Sequence, residues 1–220
     1  MVETPLAVNP LLRHLAPGTD NRAMSTLNHV RASFEEARDT LTDFLAEEAS
    51  LEAVERFAAA AAETVRANGL LMSCGNGGSM CDAMHFAEEW TGRFRGNRAA
   101  VPAVAFSDPS HLTCIANDFG YEEVFAREVE AYGKPGDLLL AISTSGNSPN
   151  VLRALDVARD KGVKTVGLLG KGGGEMLERV DIPILVPRAQ TSDRIQELHI
   201  KIIHITIEAV ERELFPENYA

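Results

Sequence analysis

His85 and Glu89 stand four residues apart in DAMHFAEEW, so both project from one face of any helix that carries them. Further along, SDRIQELHIKIIH sets Asp193, Gln196, His199 and His204 into one largely apolar run. A carboxylate and an imidazole brought to one small molecule can move protons. The carboxylate takes a proton from carbon and the imidazole serves the oxygens. Shifting a proton between neighbouring carbons of a sugar through an enediol needs such a pair, and Glu89 and His204 are the candidates. Each piece also has a plainer reading. A His/Glu pair at this spacing is commonly a surface contact, and a histidine among isoleucines is commonly a buried one with a backbone partner. By flanking residues, His204 between Ile203 and Ile205 is the buried histidine, while His199 and Lys201 face solvent.

Two loops could hold the substrate. STSGNS, from Ser143 to Ser148, offers four hydroxyls in six residues. Ser148 is placed as a helix N-cap with Pro149 at the first helical position. A helix N-terminus presents unpaired N–H groups and partial positive charge, a natural seat for a phosphate. The same serines and glycine would also serve to turn the chain and cap the helix. No Lys follows the glycine, so this is not a nucleotide P-loop. The second loop, GNGGS from Gly75 to Ser79, is not a GxGxxG fingerprint, which counts against a dinucleotide site. Its glycines allow close backbone approach, and Asn76 and Ser79 can hydrogen-bond sugar hydroxyls.

The elements that must carry these residues are legible in the apolar pattern. Leu27, Val30, Phe34, Ala37, Leu41 and Phe44 recur at three and four, a helical stripe, and Ser50 precedes a second such run that ends near Asn68-Gly69. Short apolar runs then alternate with helical stretches. The strands are expected at GLLMSCG, VPAVAFS (101–107), DLLLAIS, KTVGLLG (164–170) and DIPILV (181–186). Helices are expected at 79–94, 121–131 and 149–161, a helical or irregular segment at 108–118, and a long closing helix at 191–214. This alternation predicts an α/β fold, a mostly parallel sheet covered on both faces, preceded by N-terminal helices. Residues 1–24 read as an N-terminal extension, and 25–220 as one domain with an N-terminal helical hairpin and a long C-terminal helix. Ligands of such sheets bind at the carboxyl ends of the strands, where both unusual loops fall.

Composition removes other classes. A net charge of −11 argues against a nucleic-acid partner, which calls for a basic surface. Three cysteines make no metal-type pair and no even framework, as in a reduced cytoplasmic protein. The first twenty residues lack the pattern of a secretory signal, and IKIIHITIEAV is too short to span a bilayer. The expectation is a cytoplasmic protein with no membrane partner.

Taken together, CGNGGS, DAMHFAEEWTGRF, SDPSHLTCIANDFGYEEVF, ISTSGNSPNV and DRIQELHIKIIH resemble, in this order, the phosphoheptose isomerases. That family has the sugar isomerase (SIS) domain fold, a three-layer α-β-α sandwich, and converts sedoheptulose 7-phosphate to glycero-manno-heptose 7-phosphate in heptose biosynthesis. The resemblance covers about residues 25–213. It implies phosphate contacts at Ser143, Thr144, Ser145 and Ser148. Sugar contacts are implied at Asn76, Gly77, Gly78, Ser79, Asn117, Asp118 and Asp193, with Glu89 and Gln196 also at the substrate. It further implies Glu89 as general base, His204 as its acid partner, and a zinc ion, one per subunit, on His85, Glu89, Gln196 and His204. A homotetramer with active sites at subunit interfaces is implied as well. Gln196 and His204 are eight residues apart, about 12 Å along a helix axis and about 80° around it. One straight helix would struggle to bring both to one ion, so either the helix is distorted or, the favoured expectation, the two serve sites completed by different chains.

Two other readings follow from the same resemblance. A non-catalytic relative of this fold is a tetrameric adaptor for the bacterial replication initiator, and another SIS isomerase could act on a different sugar phosphate. The full set of His85, Glu89, Gln196 and His204 favours the enzyme, since an adaptor need not keep them.

Overall fold

The computed structural model of the chain describes residues 25–219, so the expected extension over 1–24 lies outside the described residues. From Glu36 onward the chain is one compact unit, and the part of the first helix up to Glu35 is described apart from it. The elements run α1 (Thr26–Ala46), α2 (Glu48–Arg66), β1 (Leu71–Gly75), α3 (Gly78–Thr91), β2 (Ala103–Ala105), α4 (Pro109–Asp118), α5 (Ala126–Tyr132), β3 (Leu138–Ser143), α6 (Pro149–Asp160), β4 (Lys164–Leu169), β5 (Ile182–Leu185) and α7 (Ser192–Leu214).

All four strand pairings are parallel, in the order β2-β1-β3-β4-β5. Successive side chains of a strand point to opposite faces, and each face here has its own core. Leu138, Leu140 and Ile142 of β3 pack with Phe57 of α2, Phe86 and Trp90 of α3, and Ile195, Ile202 and Ile203 of α7. Leu139 and Ala141 of the same strand pack with Ile115 of α4, Val129 of α5, and Val151 and Leu155 of α6. The molecule is therefore a three-layer α-β-α sandwich, as the alternating pattern predicts. With β3 buried along its whole length, there was no polar alternation to read, only a continuous apolar run.

Three local expectations are corrected. The segment expected as one helix over 121–131 is a 3₁₀ turn at Tyr121–Glu123 followed by α5. The break lets Val124 and Phe125, adjacent in sequence, both enter the core. Ser50, expected ahead of the second helix, lies inside α2 and is buried, with Glu47 at the N-cap. The burial of the two α7 histidines is exchanged: His199 is fully buried and His204 is partly exposed. The inward stripe of α7 runs through Ile195, Leu198, His199, Ile202, Ile203, Thr206, Ile207 and Val210. At 100° per residue His199 falls on that stripe and His204 beside it, whatever their immediate neighbours are. The order of the sheet reverses between β1 and β3, and the loops leaving those two strands open into the crevice at that point.

Candidate active site

The register pairs Gly75 with Ile142, so the loops after β1 and β3 leave the sheet side by side. After β3 the hydroxyls turn towards one another. Ser143 Oγ lies 3.0 Å from Ser148 Oγ and 3.4 Å from Ser145 Oγ. The Gly146 N–H donates to Ser143 Oγ at 3.1 Å and the Asn147 N–H to Ser145 Oγ at 3.2 Å. Ser148 does occupy the N-cap of α6 with Pro149 following, but its hydroxyl makes no capping bond. It faces Ser143 instead, which leaves the first turn of α6 open to an outside acceptor. Gly146 sits at φ +65, and a Cβ there would run into the Gly173 carbonyl. The loop therefore rests directly on the segment after β4. Thr144 Oγ1 lies 3.2 Å from Ser192 Oγ, which places the start of α7, with the exposed Asp193, beside this loop.

The loop after β1 is fixed by an amide pair that sequence reasoning missed. Asn76 Nδ2 donates to Asn150 Oδ1 and Asn150 Nδ2 donates back to Asn76 Oδ1, both at 2.9 Å. The Tyr121 hydroxyl adds a third bond to Asn76 Oδ1 at 2.9 Å. Asn150 is the second residue of α6 and is buried, so this pair ties the loop after β1 to the helix that follows the hydroxyl loop. A buried amide directly after Ser-Pro was the one available signal, since such a group needs a partner. Asn117 and Asp118 close α4 four and three residues before Tyr121, with Asn117 Nδ2 donating to Asp118 Oδ1 at 2.7 Å.

Gly77 (φ +56) and Gly78 then open α3, and the helix carries the chemical groups. His85 Nε2 lies 3.0 Å from Glu89 Oε1, one helical turn on. From α7, His204 Nε2 comes within 3.1 Å of His85 Nε2 and 4.0 Å of Glu89 Oε1. The three donor atoms all lie within 4.8 Å of one another. Burial and then the neighbouring His85 hold the His204 imidazole below its ordinary pKa, which favours the neutral form. Two imidazole nitrogens face to face cannot both carry a proton, and Oε1 is the carboxylate atom that turns to both. Four ligands around zinc at about 2.1 Å would stand about 3.4 Å apart, so this set of two N and one O fits a divalent cation with positions to spare.

Gln196 is not with them in this chain. Its amide lies 3.4 Å from Ser79 Oγ and against Gly78, at the N-terminal end of α3, about 9 Å along the axis from His85. Since Gln196 touches Ser79 and His204 touches His85, α7 runs along α3 in the same direction. His199 points away from this cluster and meets the Leu169 carbonyl at 3.2 Å. A hollow of about 590 Å3 opens at the other edge of the sheet, between Asp137, Arg159, Lys164, Thr165, Arg179 and Asp181. Lys164 pairs there with Asp181, and Arg159 and Arg179 reach Asp156 of α6; the hollow lies at the amino ends of β3 and β4, away from both loops.

Fold and site together define a class. Residues 33–170, more than half of the chain, match the model of the SIS domain family. The phosphoheptose isomerase of Proteus mirabilis is 55% identical over 185 residues, which cover 84% of this chain and 96% of that protein. That of Yersinia pestis (strain Pestoides F) is 54% identical over the same shares. The solved structure of the phosphoheptose isomerase of Neisseria gonorrhoeae superposes with a TM-score of 0.79 at 36% identity, over 85% of this chain and 99% of that one. That from Francisella tularensis gives 0.76 at 30% identity, over 86% and 100%. The chain belongs to the phosphoheptose isomerase family, a branch of the SIS domain proteins.

Proposed function

We propose that the chain interconverts sedoheptulose 7-phosphate and D-glycero-D-manno-heptose 7-phosphate, with Glu89 as base and His204 as its partner for the oxygens. The observation that carries this reading is the meeting of Glu89, His85 and His204 from two helices, at the edge of the sheet that also presents the hydroxyl loop. In the ketose, Glu89 takes a proton from C1, the C1–C2 double bond forms, and the C2 oxygen receives a proton through His204. The O1 proton then leaves, and Glu89 returns its proton to C2 to give the aldose. Oε1 of Glu89 is turned to the two imidazoles, which leaves Oε2 for the carbon acid. The hydroxyls of Ser143, Thr144, Ser145 and Ser148 and the open first turn of α6 would bind the phosphate without a lysine. Asn76, Gly77, Gly78, Ser79, Asn117, Asp118, Asp193 and Gln196 would hold the sugar.

His85, Glu89 and His204 would hold one zinc ion, with Gln196 as a ligand supplied at the assembly's shared sites. A cation held by these residues would supply Lewis-acid stabilisation of negative charge on the sugar oxygens. Nε2 of His204 can hold a cation or a proton but not both, so a cation ligated there would leave the oxygens' proton to another group. We place the working enzyme as a homotetramer with its sites at subunit interfaces, in the cytoplasm. Leu27, Val30 and Phe34 of α1 are exposed in the single chain, as is Ile205 beside His204. Leu27, Val30 and Phe34 recur along one face of α1, and an exposed apolar helix face supports an interface. No helix among the described residues is long and apolar enough to cross a membrane.

The test is purified protein with sedoheptulose 7-phosphate, with and without zinc, followed by NMR. Aldose phosphate should form, and Glu89→Gln should reduce turnover by about 10³-fold or more while sugar-phosphate binding stays measurable. Unchanged turnover in Glu89→Gln would remove this residue from the mechanism.

A further inference from the structure

Arg98 lies seven residues beyond the end of α3, in the connection to β2, yet its guanidinium is fully buried beside an equally buried Glu211 of α7. Every part of it is engaged. Nε pairs with Glu211 Oε1, Nη2 donates to the Glu89 carbonyl at 2.7 Å, and Nη1 donates to the Trp90 carbonyl at 2.8 Å. Its central carbon lies over the rings of Trp90 and Phe215, at 5.7 and 5.6 Å from their centroids. The Tyr219 hydroxyl donates to the second oxygen of Glu211 at 3.0 Å. The last carbonyls of a helix have no partner within it, and here those of the two residues at Glu89 and Trp90 are met by one planar fork.

A buried ion pair is a poor route to stability, since apolar side chains of the same volume would do as well or better. What the fork supplies is direction. It joins the backbone of Glu89 on α3 to a side chain of α7 two turns beyond His204, so the relative setting of the two helices at the proton-transfer pair runs through it. We propose that Arg98, held by Glu211 and Tyr219, is a positioning residue that sets Glu89 against His85 and His204. The inference rests on the proposed roles of Glu89 and His204. It adds a group that never touches substrate, and it gives the turn at Pro216–Tyr219 a share in the active site's geometry.

Arg98→Lys keeps the charge and loses the fork. Its turnover of sedoheptulose 7-phosphate per folded molecule should fall by about tenfold or more, with KM within about twofold, because the hydroxyl loop lies at the other end of α3. A crystal structure of the variant should show Glu89 Oε1 withdrawn from His85 Nε2. Tyr219→Phe, which removes one hydroxyl and no charge, should lower kcat by about threefold with the same unchanged KM, and it carries the test if Arg98→Lys does not fold. A lower melting temperature with wild-type kcat and an unmoved Glu89 would make Arg98 a purely structural cap and overturn the proposal. So would a fall in kcat with the Glu89–His85 contact intact. If the wild-type protein itself leaves the sugar phosphate unconverted, the functional reading fails, while the position of Glu89 in the variant crystals still decides the role of Arg98.

Discussion

At the scale of single residues, the two histidines of α7 show how far burial decides chemistry. His199 is enclosed by the sheet-facing side of the helix, and burial lowers its pKa to about 4, opposed in part by the Leu169 carbonyl. A folded-state pKa below the ordinary 6.5 means that the unfolded chain takes up the proton first. The stability this neutral imidazole contributes is present above pH 6.5 and drains away as pH falls towards about 4, by on the order of 3 kcal/mol. The wild-type melting temperature should therefore fall more steeply across that window than that of His199→Gln, whose amide can still donate to Leu169. Parallel slopes would show that His199 does not control acid stability. His204, off the stripe and partly exposed, keeps its nitrogen available to His85 and Glu89.

At the scale of elements, what matters is how two loops and two helix ends are locked in register. Gly146 has a left-handed φ of +65, and its missing side chain is replaced by the Gly173 carbonyl. Met176 N–H also donates to the Gly146 carbonyl at 3.0 Å, and Glu175 N–H to Asn147 Oδ1 at 2.9 Å. Gly146→Ala must push the loop off this support. We expect KM for the sugar phosphate to rise by about tenfold with a smaller change in kcat, and stability to fall by about 1–3 kcal/mol. Steady-state kinetics beside a urea titration would check both. An unchanged KM would mean that the loop does not seat the phosphate. The Asn76–Asn150 pair works in the same way, since it fastens the loop after β1 to the first turn of α6.

At the scale of the whole molecule, one chain brings together Glu89, His85 and His204 but leaves Gln196 on Ser79. It also leaves an apolar groove of about 470 Å3 lined by Leu41, Phe44, Leu45, Val54, Ile202 and Ile205. The proposed assembly of four chains should appear in sedimentation equilibrium as four times the chain mass at micromolar concentration. A monomer with full turnover would sink the idea that neighbouring chains complete the sites.

The sequence by itself determined the layers, the strand order's raw material and the two loops, because each depends on residues close together in the chain. Apolar runs between helical periods make a parallel sheet, and glycines and hydroxyls at strand ends make tight polar loops suited to an anion. The Glu89/His85 pair was legible for the same reason, one helical turn apart. Only the tertiary structure decided the rest. Asn76 and Asn150 are 74 residues apart, and Arg98 and Glu211 are 113 apart, so no local pattern announces either contact. Which α7 histidine faces the chemistry depended on the angle at which that helix meets α3 and the sheet. Flanking isoleucines are silent on that angle, since an apolar neighbour in sequence lies 100° away around the helix.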